Sequence, residues 1–145
     1  MKAAHDSGVK KLLFFASNCC YPRECLQPMK EEYLMTGPLE MTNQAYAMAK
    51  LAGIEMCRGY NIQYGTNFIV AIPASMYGAN DHFNSDRAHI IPELIKTIHQ
   101  AKLEGSPEIL ISRDGLLKRE FLYIDDASDA SIFLMDRFNL PSDRS

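Results

Sequence analysis

Residues 42–65 read TNQAYAMAKLAGIEMCRGYNIQYG, which is a continuous helix pattern. Thr42 and Asn43 are residue types that cap helix N-termini, and helix-forming residues follow without a proline. Gly65 suits the left-handed position just after a helix. Small side chains that would allow close packing against a sheet or another helix recur along one face: Ala45, Ala49, Ala52 and Met56. The sequence therefore predicts a long helix from about residue 43 to residue 64.

Within this helix, Tyr46 and Lys50 are four residues apart, so their side chains lie on one face, one turn apart. An ammonium group close to a phenol stabilises the phenolate relative to the phenol. Tyr46 is therefore a candidate proton donor near neutral pH. The alternative is an ordinary Tyr/Lys pair on a solvated helix face, because such spacings also arise by chance.

The composition excludes several classes of protein. The chain has 145 residues, 47% of them hydrophobic, which suffices for one ordinary domain. The net charge is −3 and the basic residues are scattered, so a nucleic-acid surface is not expected. No apolar run approaches the roughly 20 residues of a membrane span, and MKAAHDSGVKK lacks a signal peptide's apolar region. We therefore expect a cytoplasmic protein without membrane contact.

Four cysteines occur without C-x-x-C spacing or a histidine cluster beside them: Cys19, Cys20, Cys25 and Cys57. This arrangement predicts free thiols in a reducing compartment, with no metal site and no disulfide framework. Most free cysteines are small, buried hydrophobic residues, and we expect Cys20 and Cys57 to be of this kind.

Helix and strand patterns alternate along the chain, which is typical of the α/β class with a mostly parallel sheet. The predicted elements are a helix tail at 1–7, strands at 9–16 and 67–72, a helix at 90–104, strands at 108–111 and 118–124, and a helix starting at Asp125. Ligands of such sheets bind at the carboxyl ends of strands, where Ser17 and Pro73 fall. A ligand site is therefore expected at that edge.

Five segments carry a resemblance to a known family. They are GVKKLLFFASNCCYP (8–22), QPMKEEYLMTGPLEMTNQAYAMAKLAGIEMCRGYNIQYG (27–65), IPASMYG (72–78), DRAHIIPELI (86–95) and KREFLYIDDASDA (118–130). In order and spacing they resemble the extended short-chain dehydrogenase/reductase family of NAD-dependent epimerases and dehydratases. The resemblance is strongest to its nucleotide-sugar epimerase-reductases.

This resemblance implies part of a Rossmann-like doubly wound parallel sheet plus a piece of the smaller C-terminal substrate-binding region. Residues 1–88 would be the central and C-terminal portion of the NAD(P)-binding domain without its first βαβ units. Residues 89–120 would belong to the substrate-binding region, and residues 121–145 would return to the Rossmann domain. The implied cofactor is NADP (NADPH), the implied substrate is GDP-4-keto-6-deoxy-mannose, and the complete protein would be a homodimer.

The resemblance also assigns residues. The catalytic triad falls on Ser17, Tyr46 and Lys50, and an epimerisation acid/base pair falls on Cys19 and His89. Cofactor contacts fall on Phe15, Ala16, Ser17, Asn18, Lys50, Pro73, Ala74, Ser75, Met76 and His89. Substrate contacts fall on Arg119, Thr97 and Ser112. Taken alone, Cys19 could be a buried hydrophobe, His89 a capping or loop histidine, and Arg119 part of a charged strand edge.

The chemistry fits these residue types. A ketone at C4 acidifies the protons at C3 and C5, and donors aimed at its oxygen stabilise the enolate. Ser17 and Tyr46 would supply those donors. Cysteine and histidine titrate close enough to neutral pH to serve as acid and base.

The chain also departs from the family pattern. Residues 112–115 read SRDG where a tryptophan-glycine pair is usual, Thr97 replaces a basic residue, Ser75 an asparagine and Ala16 a glycine. No glycine-rich dinucleotide motif is present, so we expect the central portion of a longer enzyme, and residues 1–145 alone should bind NADPH poorly. The alternatives are another nucleotide-sugar epimerase, reductase or dehydratase, or a non-catalytic α/β remnant.

Overall fold

A computed structural model describes residues 1–83, 89–110 and 118–140. The predicted α/β class is confirmed, since parallel strands alternate with helices. The elements are α1 (Lys2–Asp6), β1 (Lys11–Phe15), α2 (Gln44–Tyr64), β2 (Asn67–Ala71), β3 (Ser75–Tyr77), α3 (Ile90–Glu104), β4 (Phe121–Tyr123) and α4 (Ile124–Arg137). Short 3-10 turns cover Asn18–Cys20, Glu31–Tyr33 and Met41–Asn43. None of the described helices is long and apolar enough to cross a membrane.

The chain forms two compact units. The first comprises Met1–Ala74 and Ser128–Ser145, and in it β1 and β2 pair in parallel from Lys11 opposite Asn67 to Phe15 opposite Ala71. The second comprises Ser75–Ala127, where β3 and β4 pair in parallel. The assignment of residues 1–88, 89–120 and 121–145 to cofactor and substrate regions stays a prediction.

The core of the first unit lies between α2 and the β1–β2 pair. The helix and β2 contribute these buried residues to it: Ala47, Leu51, Cys57, Phe68 and Ile69. Gly53 lets the helix lie close to β1, because a Cβ there would fall 2.2 Å from Cζ of Phe14. Helix α2 ends at Gly65 in the left-handed conformation (φ 62°), as predicted. The predicted small-residue stripe is exposed instead of packed.

The Asn61 side chain ties the end of α2 to the start of β2. Its Oδ1 accepts hydrogen bonds from the Phe68 N–H (2.8 Å) and the Thr66 hydroxyl (2.8 Å), and its Nδ2 donates to the Phe68 carbonyl (2.9 Å). One side chain thus satisfies both backbone groups of a buried strand residue. This junction fixes where β2 begins relative to the helix.

Asn61→Ala is therefore expected to lower the free energy of unfolding of the complete protein by about 2–3 kcal/mol, because the backbone groups of Phe68 lose their partner. Urea denaturation measures the change. Gln63→Ala, at an exposed position of the same helix, is the control and should unfold like the wild type. Equal midpoints for Asn61→Ala and Gln63→Ala would contradict the role of Asn61.

The short strands differ most from prediction. Residues 108–110 adopt no regular structure, so the predicted strand at 108–111 is wrong over its described part, and Ile111 lies outside the described residues. The predicted strand at 118–124 shortens to β4, because Ile124 already begins α4. Strand β3 was not predicted. Its three residues are ordered by pairing with β4, which local sequence does not encode.

Candidate active site

The carboxyl end of β1 carries the first group of predicted site residues. Beyond Phe15, the Ala16 N–H still donates to the Ala71 carbonyl (2.8 Å), which extends the ladder by one residue. Ser17 follows with an extended backbone and caps the turn Asn18–Cys20, its Oγ accepting from the Cys19 N–H (3.2 Å). Ser17 therefore lies where the strand ends, as predicted.

Lys50 joins helix α2 to the end of β1. Its Nζ donates to the Phe15 carbonyl (2.7 Å) and lies 5.7 Å from the centroid of the Tyr46 ring. It also lies 5.2 Å from the centroid of the Phe14 ring. Tyr46 and Lys50 thus share one helix face, as predicted, and the half-exposed Tyr46 ring is accessible to a ligand.

Cys19 is partly exposed beside this group. Its Sγ accepts a hydrogen bond from Asn43 Nδ2 (3.1 Å) and lies 3.8 Å from Asn18 Oδ1. The sequence predicted Asn43 only as a helix cap. Nothing in the local sequence indicates that its side chain contacts a sulfur 24 residues earlier, because the contact depends on how α2 packs against the turn after β1.

The buried cysteines behave differently from Cys19. Cys20 and Cys57 are almost fully inaccessible, as predicted for small hydrophobes. Desolvation raises the pKa of both thiols, so each stays neutral near physiological pH. The Cys20 thiol donates to the Ala47 carbonyl (3.8 Å) inside the core. These two residues stabilise packing and offer no accessible nucleophile.

The other predicted site residues belong partly to the first unit and partly to the second. Pro73 and Ala74 end the first segment of the first unit, after β2. The second unit contains Ser75 and Met76 on β3, exposed His89 at the N-terminus of α3, and exposed Thr97 and Arg119. Ser112 lies outside the described residues.

Local contacts of these residues in the second unit are modest. The His89 carbonyl accepts from the Glu93 N–H (3.0 Å), which fits the capping alternative, although its side chain makes no cap bond. Thr97 Oγ1 donates to the Glu93 carbonyl (2.9 Å), and Arg119 Nη1 donates to the Lys118 carbonyl (3.1 Å). Their predicted roles in catalysis or substrate binding remain predictions.

An open groove of about 560 Å³ runs along α3 in the second unit. Lys96 and Thr97 line it, but so do the carboxylates of Glu93, Glu104 and Glu108. A groove with three carboxylates and one ammonium repels a diphosphate. We therefore do not place the phosphates of a nucleotide there.

The end of β1 is better suited to a polar ligand. An ammonium group has three N–H donors, and within the described residues Lys50 uses one of them on Phe15. The remaining donors, together with the Ser17 and Tyr46 hydroxyls, fit the hydroxyl and carbonyl oxygens of a sugar or a ribose. This is also the edge of a parallel sheet where ligands usually bind.

Residues 1–143 match the model of the NAD dependent epimerase/dehydratase family. The chain is 47% identical over 139 residues to the GDP-L-fucose synthase of Sinorhizobium fredii, covering 96% of this chain and 44% of that protein. It is 44% identical over 137 residues to GDP-L-fucose synthase 1 of Arabidopsis thaliana, covering 94% of this chain and 42% of that protein. The chain thus spans less than half the length of these curated relatives.

A solved structure with a similar fold is the GDP-D-glycero-L-gluco-heptose synthase of Campylobacter jejuni, determined in the presence of NADPH. Its TM-score to this chain is 0.85 at 32% identity, covering 96% of this chain and 50% of that one. The similarity confirms the predicted Rossmann-like α/β fold.

Proposed function

The chain belongs to the NAD dependent epimerase/dehydratase family, as its motifs predict, and we propose that the complete protein is a GDP-L-fucose synthase. It would epimerise GDP-4-keto-6-deoxy-mannose at C3 and C5 and then reduce the ketone at C4. The observation that carries the proposal is the arrangement around Lys50, whose Nζ lies 2.7 Å from the Phe15 carbonyl oxygen and beside the Tyr46 ring. Ser17 and Cys19 follow directly on the same strand end.

In this proposal the hydroxyl groups of Ser17 and Tyr46 hydrogen-bond the C4 oxygen. These bonds strengthen as charge develops on that oxygen, which acidifies the neighbouring C–H groups. Cys19 is one acid/base group, because its partly exposed thiol lies two residues from Ser17. The second group is His89 by the sequence assignment. Tyr46 finally gives its proton to the C4 oxygen, and the Lys50 ammonium stabilises the phenolate that remains.

The residues at the end of β1 fit NADPH. The donors of Lys50 that no described residue engages suit ribose hydroxyls, and the backbone of Phe15, Ala16 and Asn18 borders the same edge. When bound, this cofactor supplies the hydride that C4 receives. Further cofactor contacts are proposed at Pro73–Met76 and His89, and substrate contacts at Arg119, Thr97 and Ser112. We also propose a homodimer in the cytoplasm.

A different GDP-bound 4-keto sugar is the second candidate substrate. The similarity to the Campylobacter heptose synthase supports it. The two substrates differ in their carbon skeleton beyond C5, so the same triad would serve both. Their discrimination would depend on residues of the second unit.

The test supplies the complete protein with NADPH and GDP-4-keto-6-deoxy-mannose and follows absorbance at the nicotinamide band, with the product identified by NMR. We expect oxidation of NADPH and formation of GDP-L-fucose. Turnover only with a GDP-4-keto-heptose would favour the second candidate. Oxidation with neither sugar would contradict both candidates and favour a non-catalytic protein.

A further inference from the structure

Asn43 stands at the N-terminus of α2, but its side chain does not cap the helix. An N-cap side-chain oxygen normally accepts a hydrogen bond from an N–H in the first turn, and asparagine is among the favoured residues for this. Asn43 makes no side-chain cap bond, and its Oδ1 is buried without a hydrogen-bond partner among the described residues. Both features reduce stability, so folding alone does not explain this side-chain conformation.

The side chain instead contacts the sulfur of Cys19, with Nδ2 3.1 Å from Sγ. On another side, Sγ lies 3.8 Å from Asn18 Oδ1, which can only accept a hydrogen bond. The sulfur therefore has a donor and an acceptor within reach. A thiol can donate to Asn18, and a thiolate can accept from Asn43. A group that works as acid and base must pass through both states.

We propose that Asn43 is a positioning residue that holds the Cys19 sulfur and hydrogen-bonds its proton-accepting form. The proposal rests on the proposed function, in which Cys19 exchanges a proton with a carbon beside the C4 ketone. When Cys19 is the base, the proton moves from carbon to sulfur and the C–H electron pair moves toward the ketone oxygen. Asn43 keeps its own protons throughout. The helix cap bond is given up for this contact.

Two substitutions separate this role from helix capping. Asn43 makes no cap bond, and serine and aspartate are both good capping residues, so Asn43→Ser and Asn43→Asp should not lower the thermal midpoint of the complete protein. Both remove the N–H donor, and aspartate adds a carboxylate that disfavours a thiolate. Gln44→Ala, at the exposed next position, is the matched control.

Three measurements follow each variant: exchange of the C3 and C5 protons with deuterated solvent, NADPH-dependent reduction of the unepimerised ketone, and alkylation of Cys19 by iodoacetamide. Cys25, also partly exposed, is the internal reference for alkylation. We expect exchange to fall about tenfold in Asn43→Ser and further in Asn43→Asp. Alkylation of Cys19 relative to Cys25 should fall in parallel, since the thiolate is the nucleophile, while reduction persists.

Unchanged Cys19 alkylation and exchange in both variants would overturn the proposal. An equal loss of exchange and reduction, with a lower thermal midpoint, would also overturn it and leave Asn43 a structural residue. If wild-type protein shows no exchange but Cys19 alkylation still falls in both variants, the proposed function fails and the role of Asn43 toward the sulfur stands.

Discussion

Tyr46→Phe is expected to slow reduction of the 4-keto sugar by the complete protein by about a hundredfold or more. The substitution removes one oxygen, which is the proton donor to the C4 oxygen in the proposed mechanism. The ring and its position beside Lys50 remain, because Nζ is anchored on the Phe15 carbonyl and not on the phenol. Single-turnover oxidation of NADPH measures the effect, and a thermal melt checks that the fold is intact.

Tyr64→Phe is the matched control for this prediction. Tyr64 lies on the same helix and has nearly the same exposure, 49% against 50% for Tyr46, but it stacks on His5 at 4.1 Å, away from Lys50. Removal of the Tyr64 hydroxyl should leave the rate of NADPH oxidation unchanged. Near-normal turnover in Tyr46→Phe would remove this residue from the mechanism.

Lys50→Met should weaken NADPH binding and also slow the oxidation of NADPH, because it removes the N–H donors of the ammonium group as well as its charge.

Helix α2 was predictable because its signals are local. Capping residues, an uninterrupted run of helix formers and a terminal glycine gave its limits, and a spacing of four put Tyr46 and Lys50 on one face. The face that packs was not predictable from residue size. The small residues Ala45, Ala49 and Ala52 are exposed, whereas Ala47 and Leu51 are buried. Apolar residues occur on more than one face of α2, so the face that packs against the sheet also depends on the side chains of the strands.

The contacts that bring the candidate site residues together are long-range, and local sequence patterns do not predict such contacts. Lys50 contacts a carbonyl 35 residues earlier, and Asn43 contacts a sulfur 24 residues earlier. A three-residue strand such as β3 cannot be predicted from local sequence either, because pairing with the neighbouring strand orders it. The resemblance to a known family supplied the proposed role of Cys19, which a lone cysteine at a strand end would not have suggested.

Cys19→Ser is expected to reduce solvent deuterium exchange at C3 and C5 of the substrate by about a hundredfold or more, while direct reduction of the unepimerised ketone continues. A serine hydroxyl is far weaker as an acid than a thiol, so it cannot become the base near neutral pH. The serine oxygen can still accept from Asn43, so the turn after β1 should keep its structure. Ser17, Tyr46 and Lys50 are untouched. NMR of the recovered sugar measures deuterium at each carbon.

Cys25→Ser controls for loss of a partly exposed thiol outside the proposed site and should exchange like the wild type. The informative quantity is the ratio of exchange to reduction, because a general disturbance of the fold lowers both rates together. A large fall in that ratio for Cys19→Ser alone places proton transfer on the sulfur and reduction on the triad. Exchange that persists in Cys19→Ser at the wild-type rate would show that another group removes the proton, and the acid/base role would not apply to Cys19.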